Sequence, residues 1–349
     1  MTAPSRSALF DWAIAVASLW LGAGIFVDAW YHFHNDVETF FEPAHALLYA
    51  GLLAAFIFTG IALVHYHRLG YPWLRAVPPG YDATLVGLVV CLAGGVTDMV
   101  KHELWGFEEG FNALLSPTHL LIGAGTFLIV VGPIRAALAR TDLPRRLSEQ
   151  LPMLIAAASL LELLHWGTQI FFVSEAARMN APLPPYRSPS DVLTLLTLTY
   201  YKQGIGLMAV IMQSLLVAGF ALYLKRRIDL APWSLVIFNM LGNVFIAGAH
   251  SNYAGEFAAV VVASIACGAV GDLFRLGPKS GSAGDGRWYV FAFCVPASYW
   301  AVYLAVLAAT MGGIWWTPDV TIGSVLYAGL VGVFLNALSF PVDRARRYA

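Results

Sequence analysis

Residues 12–31 read WAIAVASLWLGAGIFVDAWY, a run of twenty positions whose only charged residue is Asp28. About 20 apolar residues in a helix cover the roughly 30 Å of a bilayer's hydrocarbon layer. A secretory signal carries a shorter apolar core of about 7–15 residues followed by a small-residue cleavage site. No such site follows here, so the run reads as a first, retained transmembrane helix.

The rest of the chain repeats this pattern. Of 349 residues, 59% are hydrophobic and 12% charged, with a mean hydropathy of +0.69. A soluble domain carries about 25% charged residues. The composition therefore excludes a soluble fold and predicts an all-α, polytopic transmembrane bundle. The apolar runs predict about ten spans, over residues 10–31, 43–64, 82–103, 117–137, 151–172, 200–224, 232–250, 254–273, 288–310 and 320–340. The chain reads as one integral membrane domain, 1–349. A net charge of -1 gives no electrostatic basis for binding nucleic acid. Cys91, Cys267 and Cys294 all lie in apolar runs and read as small packing residues.

Basic residues set the orientation, because cytoplasmic loops are enriched in Lys and Arg. With ten spans and the N-terminus inside, sixteen Lys and Arg residues fall on the cytoplasmic side. Only Lys101, Arg178, Arg187 and Lys202 fall outside. This predicts both termini inside, in a bacterial inner membrane. The proline-bearing stretch 173–199 then lies outside, and the Gly/Ser-rich stretch 277–287 reads as a flexible cytoplasmic connector.

The polar residues within the apolar runs recur in order. Gly24, Asp28 and His32 are followed by Pro43, His45, Leu47, Ala50 and Gly51. Gly94, Asp98 and His102 are followed by Pro117, His119, Leu121, Ala124 and Gly125. This predicts an internal parallel repeat of the first two helix pairs, residues 22–66 and 92–137. In each copy an Asp and a His four residues apart share one helix face. A second His then stands two positions after a proline in the first turn of the returning helix, where proline is favoured.

A carboxylate and two imidazoles make a suitable donor set for a transition metal. Ionisable groups inside a membrane are costly and usually serve a function. Asp28, His32, His45, Asp98, His102 and His119 are thus candidate metal ligands, forming two sites or one shared site. The alternative is a pair of interfacial hydrogen-bonded groups. Glu162 and His165, three apart in the fifth span, are candidate catalytic proton carriers, or else a structural pair. His34, Glu38, Glu42, Glu103, Glu108 and Glu109 crowd the two adjoining loops as supporting partners or solvated charge. His250, Asn252 and Glu256 read as a solvated loop. Met208 and Met212 read as packing, and His65 and His67 as loop residues on the opposite side.

The first copy, with Thr39-Phe40-Phe41-Glu42-Pro43-Ala44-His45 leading to its last ligand, resembles the copper-binding motif found in one membrane subunit of the particulate methane and ammonia monooxygenases. That motif has an Asp, a His four residues later and a second His thirteen after the first. The resemblance covers residues 28–45. It implies copper held by Asp28, His32 and His45, an intramembrane site on the extracytoplasmic side, oxidative chemistry on small substrates, and partner membrane subunits. The second copy, Asp98, His102 and His119, has a longer connector than that motif.

The leading functional expectation is a copper metalloprotein of the bilayer, an oxidoreductase or monooxygenase-like component. Zinc or iron are alternative metals. A cation or proton transporter and a zinc-dependent membrane hydrolase are the alternative functions.

Overall fold

The computed structural model describes residues 4–34, 40–106, 108, 110–169, 189–251, 253–278 and 285–339. Glu38, Glu109, Asn252 and most of the stretches 173–199 and 277–287 lie outside the described residues. Every regular element among those described is helical. In chain order the helices are α1 (Ala8–His34), α2 (Pro43–Arg68), α3 (Asp82–Trp105), α4 (Phe111–Leu115), α5 (Pro117–Leu138), α6 (Leu147–Gly167), α7 (Pro189–Arg227), α8 (Ser234–His250), α9 (Ala254–Leu273), α10 (Gly286–Thr310) and α11 (Pro318–Ser339).

Among the described residues, nine helices are long and apolar enough to cross a membrane; α8, also apolar, is shorter at 17 residues. The protein is thus an integral, multi-pass membrane protein embedded in lipid. The sequence expectation of about ten spans agrees, with α8 as the short tenth. The five-residue α4 has no counterpart in that expectation.

Side-chain burial follows the helical period. On α2, Leu48, Leu52, Ala55, Ala62 and Tyr66 are buried, while Leu53, Ile57 and Ile61 are exposed. Exposed aliphatic stripes on such helices face lipid rather than water.

The chain divides into two compact units, residues 1–167 and 168–349. In the first unit α1 packs against α2, α5 and α6, and α3 packs against α5. Glycines set these crossings. A Cβ on Gly94 would stand 2.8 Å from the Ile122 backbone nitrogen, and one on Gly87 would stand 2.6 Å from the Gly125 carbonyl oxygen. A Cβ on Gly125 would collide with the Cys91 backbone. Small residues let membrane helices approach backbone to backbone, where dispersion and weak polar contacts replace the hydrophobic drive.

The α1–α2 crossing uses the same device. A Cβ on Gly24 would meet the Leu48 Cα at 2.8 Å, and one on Gly51 would meet the Leu21 backbone nitrogen at 3.1 Å.

At the opposite end of this unit, Tyr81 is buried and donates its hydroxyl to Asp11 Oδ1 at 2.7 Å. Burial, then the charge of Asp11, holds the Tyr81 phenol well above its usual pKa. Arg6 donates to the Ala136 carbonyl, and the Tyr66 hydroxyl to the Ser5 carbonyl.

The second unit has a polar interior of a different kind. Gln213, Ser214, Asn239, Asn243 and Ser264 are buried there, with Trp300 donating to Ser214 at 3.2 Å. Arg226 lies 4.0 Å above the Trp288 ring and donates to Asn336 at 2.7 Å. Such stacking keeps a guanidinium in place within an apolar setting.

Candidate metal centre

Four helix ends build two clusters, all in the first unit. The α1 and α3 C-terminal turns carry Asp28/His32 and Asp98/His102, and the α2 and α5 first turns carry His45 and His119. Pro43 and Pro117 start the returning helices without losing a needed N–H. Asp28, His32 and His45 offer donor atoms that all lie within 4.8 Å of one another, and so do Asp98, His102 and His119. Among the described residues these are the only groups of three or more such ligands, and they are two separate groups.

In the second cluster His102 Nε2 stands 3.3 Å from Asp98 Oδ2, and His119 Nε2 stands 3.3 Å from Asp98 Oδ1. A charge-assisted hydrogen bond closes to about 2.7–2.9 Å. Two donors bound tetrahedrally to one ion, with bonds of about 2.0–2.1 Å, stand about 3.3 Å apart. The observed spacing suits donors arranged around an ion and also lies within reach of hydrogen bonds from both rings to Asp98.

The ring tautomers point the same way. His119 Nδ1 lies 2.5 Å from the Ala113 carbonyl in α4, and His102 Nδ1 lies 3.2 Å from the Gly106 carbonyl. A carbonyl only accepts, so both Nδ1 atoms carry the hydrogen. In a neutral ring Nε2 is then the bare nitrogen. Neutral rings turn two lone pairs and a carboxylate toward one point, as a bound cation requires, whereas protonated rings donate to Asp98 instead. Gly106 serves this geometry through its backbone: its φ of 78° ends α3 and turns its carbonyl back to His102.

The first cluster is looser. His45 Nε2 stands 3.6 Å from Asp28 Oδ1, and His32 Nδ1 stands 3.8 Å from Asp28 Oδ2. Asp28 Oδ1 is buried, and among the described residues no group donates a hydrogen bond to it. Such an atom needs a cation or a donor to offset its desolvation. Both clusters thus fit a bound metal by donor chemistry.

The two clusters are neighbours. The Phe40 ring stacks on His45 at 4.8 Å between centroids and reaches His102 at 6.2 Å.

The loop residues divide. Glu108 lies 3.5 Å from His102 Nδ1 and pairs with Lys101, while Glu42 accepts from the Tyr31 hydroxyl at 3.2 Å. His34 stacks on Trp30 and belongs to neither cluster. Glu103 is exposed. His67 stacks on Trp73, and His65 packs edge-on against Tyr66. Glu162 and His165 are both buried in α6, and neither belongs to a cluster. Met208 is exposed.

Glu256, expected in a solvated loop, is instead buried in the first turn of α9. A carboxylate there is favoured by the free N–H groups and the helix dipole.

Two hydroxyls carry no mark in the sequence. Thr118 donates to Asp98 Oδ1 at 2.6 Å, and Ser116 contacts Thr118 at 2.8 Å. A hydroxyl residue next to a ligand is too common to mark a site by sequence.

No family model, curated protein or solved structure matches the chain.

Proposed function

We propose that this protein is a copper-binding membrane oxidoreductase, or the copper-bearing subunit of one. The observation that carries the reading is the pair of Asp/His/His clusters held at metal-ligand spacing in a membrane-embedded bundle. Imidazole-rich donor sets bind Cu(II) most strongly among the divalent first-row metals. When bound, copper supplies one-electron redox chemistry.

The chain's own residues do the rest. Asp28 and Asp98 supply the charge that offsets a cation, and the four imidazoles fix its place. Backbone carbonyls hold the rings of His102 and His119 in one tautomer. Glu162 and His165 are proton carriers in α6, a helix that packs against α1 and α5.

We place the clusters on the extracytoplasmic side, with both termini inside, on the distribution of basic residues. The first two helix pairs are read as a parallel repeat. Matching contacts support it: Gly24 with Leu48 as Gly94 with Ile122, Gly51 with Leu21 as Gly125 with Cys91, and Tyr31 with Glu42 as Lys101 with Ser116. The local likeness to the methane and ammonia monooxygenases supports copper and oxidation of a small or lipidic substrate.

The test is metal analysis of the purified protein together with an EPR spectrum. Stoichiometric copper with a Cu(II) signal of nitrogen ligation is the expected result. Stoichiometric zinc instead would favour a membrane hydrolase. Absence of any metal would favour a cation or proton path through the same residues.

A further inference from the structure

Although the two clusters share one donor set, their surroundings differ. Around Asp98 runs a continuous chain of polar groups. Lys101 Nζ pairs with Glu108 and donates to Ser116 Oγ at 2.7 Å. Ser116 Oγ meets Thr118 Oγ1 at 2.8 Å, and Thr118 donates to Asp98 Oδ1 at 2.6 Å. Lys101 can only donate to Ser116, and Asp98 can only accept from Thr118. The Ser116 hydroxyl therefore donates to Thr118, and every bond in the chain points toward Asp98. Glu108, besides balancing the lysine charge, also stands beside His102 Nδ1.

Among the described residues no such chain of hydroxyls leads to Asp28. The position matching Thr118 is Ala44, and the position matching Ser116 is Glu42, whose carboxylate is engaged by Tyr31. Among the described residues no group donates a hydrogen bond to Asp28 Oδ1. The side chain of Asp28 is 16% exposed against 2% for Asp98. The Asp–His separations are 3.6 and 3.8 Å there, against 3.3 Å twice in the second cluster.

Supporting partners that orient metal ligands contribute about 10–100-fold each to affinity or activity. Burial and fixed rotamers reduce the rearrangement an incoming ion must cause.

We propose that the clusters divide the work: Asp98, His102 and His119 form a tight site that retains its ion, kept in shape by the Lys101–Ser116–Thr118 chain, while Asp28, His32 and His45 form the open site, where ions and small ligands exchange. This rests on the metal reading above. It assigns Thr118, Ser116 and Lys101 a positioning role, and it assigns substrate-side chemistry to the first cluster.

The experiment uses the full chain in lipid nanodiscs, titrated with Cu(II) against a competing chelator. His32→Ala leaves only the second cluster intact, and His102→Ala leaves only the first. The His32→Ala protein is expected to hold one ion through dialysis against the chelator, and the His102→Ala protein to lose its ion at least about tenfold more readily, the lower bound set by one lost supporting partner. Thr118→Val, which keeps shape and removes the hydroxyl, is expected to weaken the second site by about 10–100-fold. Thr118→Ser should restore it. Circular dichroism of each variant shows that the helices persist. Equal or tighter retention in His102→Ala, or no change in Thr118→Val, overturns the division of work while leaving the metal reading standing. Failure of both single-cluster variants and the parent to bind Cu(II) overturns the metal reading itself.

Discussion

The phenol of Tyr49 lies across Gly95, where an added Cβ would stand 2.9 Å from the ring and 3.1 Å from the hydroxyl oxygen. Tyr49 is one turn after His45 on α2, and Gly95 is one turn before Asp98 on α3. This contact therefore sets how closely the first helix pair approaches the second next to both clusters. Gly95→Val should force the ring away, costing about 1–3 kcal/mol as overpacking does. Thermal unfolding should register the loss, and metal content should fall in both clusters. Unchanged stability would mean that Tyr49 turns aside without effect.

The glycine seam between α3 and α5 should act more selectively. Gly125→Val places a branched side chain against the Cys91 backbone. It is expected to displace His119 relative to Asp98 and empty the second cluster, with the first cluster keeping its ion. Metal stoichiometry in a His32→Ala background separates the two. Retention of the ion there would count against a rigid seam.

Asp28→Asn preserves size and removes charge. Copper occupancy of the first cluster should drop by more than the roughly 10–100-fold typical of losing a supporting partner, with the far-ultraviolet spectrum unchanged. Metal ligands must be deprotonated to bind, so affinity rises with pH and acid releases the ion. A titration in which acid failed to displace copper would place the ion elsewhere.

Reporter fusions at Arg140 and Asn112 should report opposite sides of the membrane, with Arg140 cytoplasmic. The basis is the sixteen-to-four distribution of basic residues. The same side for both would mean a wrong helix count.

Tyr81→Phe tests the opposite end of the first unit. Removing the hydroxyl leaves Asp11 short of a donor, a loss of about 1–3 kcal/mol. Tyr81 stays protonated across the working pH range, because burial and Asp11 hold its pKa up. The bond is charge-assisted only while Asp11 is ionised, so the destabilisation should be full at neutral pH and shrink as acid protonates Asp11, and metal content should not change.

The span pattern and all six cluster residues were legible in the sequence, for a physical reason. Apolar runs of membrane length admit few alternatives, and the ligands stand out as the ionisable residues inside them. Spacing four apart puts Asp28 by His32, and a proline two before His45 fixes where the partner helix starts. The supporting shell was not legible. Thr118 and Ser116 look like ordinary first-turn residues, and α4, whose Ala113 carbonyl orients His119, is five residues in a loop. Glu108 is open to two readings in the sequence, supporting partner or solvated loop charge, and the fold brings it to His102. Whether Glu162 and His165 serve the clusters depends on packing that three-residue spacing does not encode.

Each cluster draws its donors from two helices crossing at glycines, and among the described residues no strand or loop supplies a ligand. An α-helix advances about 1.5 Å per residue, so a slip of α5 along α3 by a single residue would displace His119 by about half of its 3.3 Å separation from Asp98, while His102, on the same helix as Asp98, would keep its place beside it. Ion retention therefore reads out helix register, and a bilayer too thin or too thick for these spans becomes an allosteric ligand of the metal site.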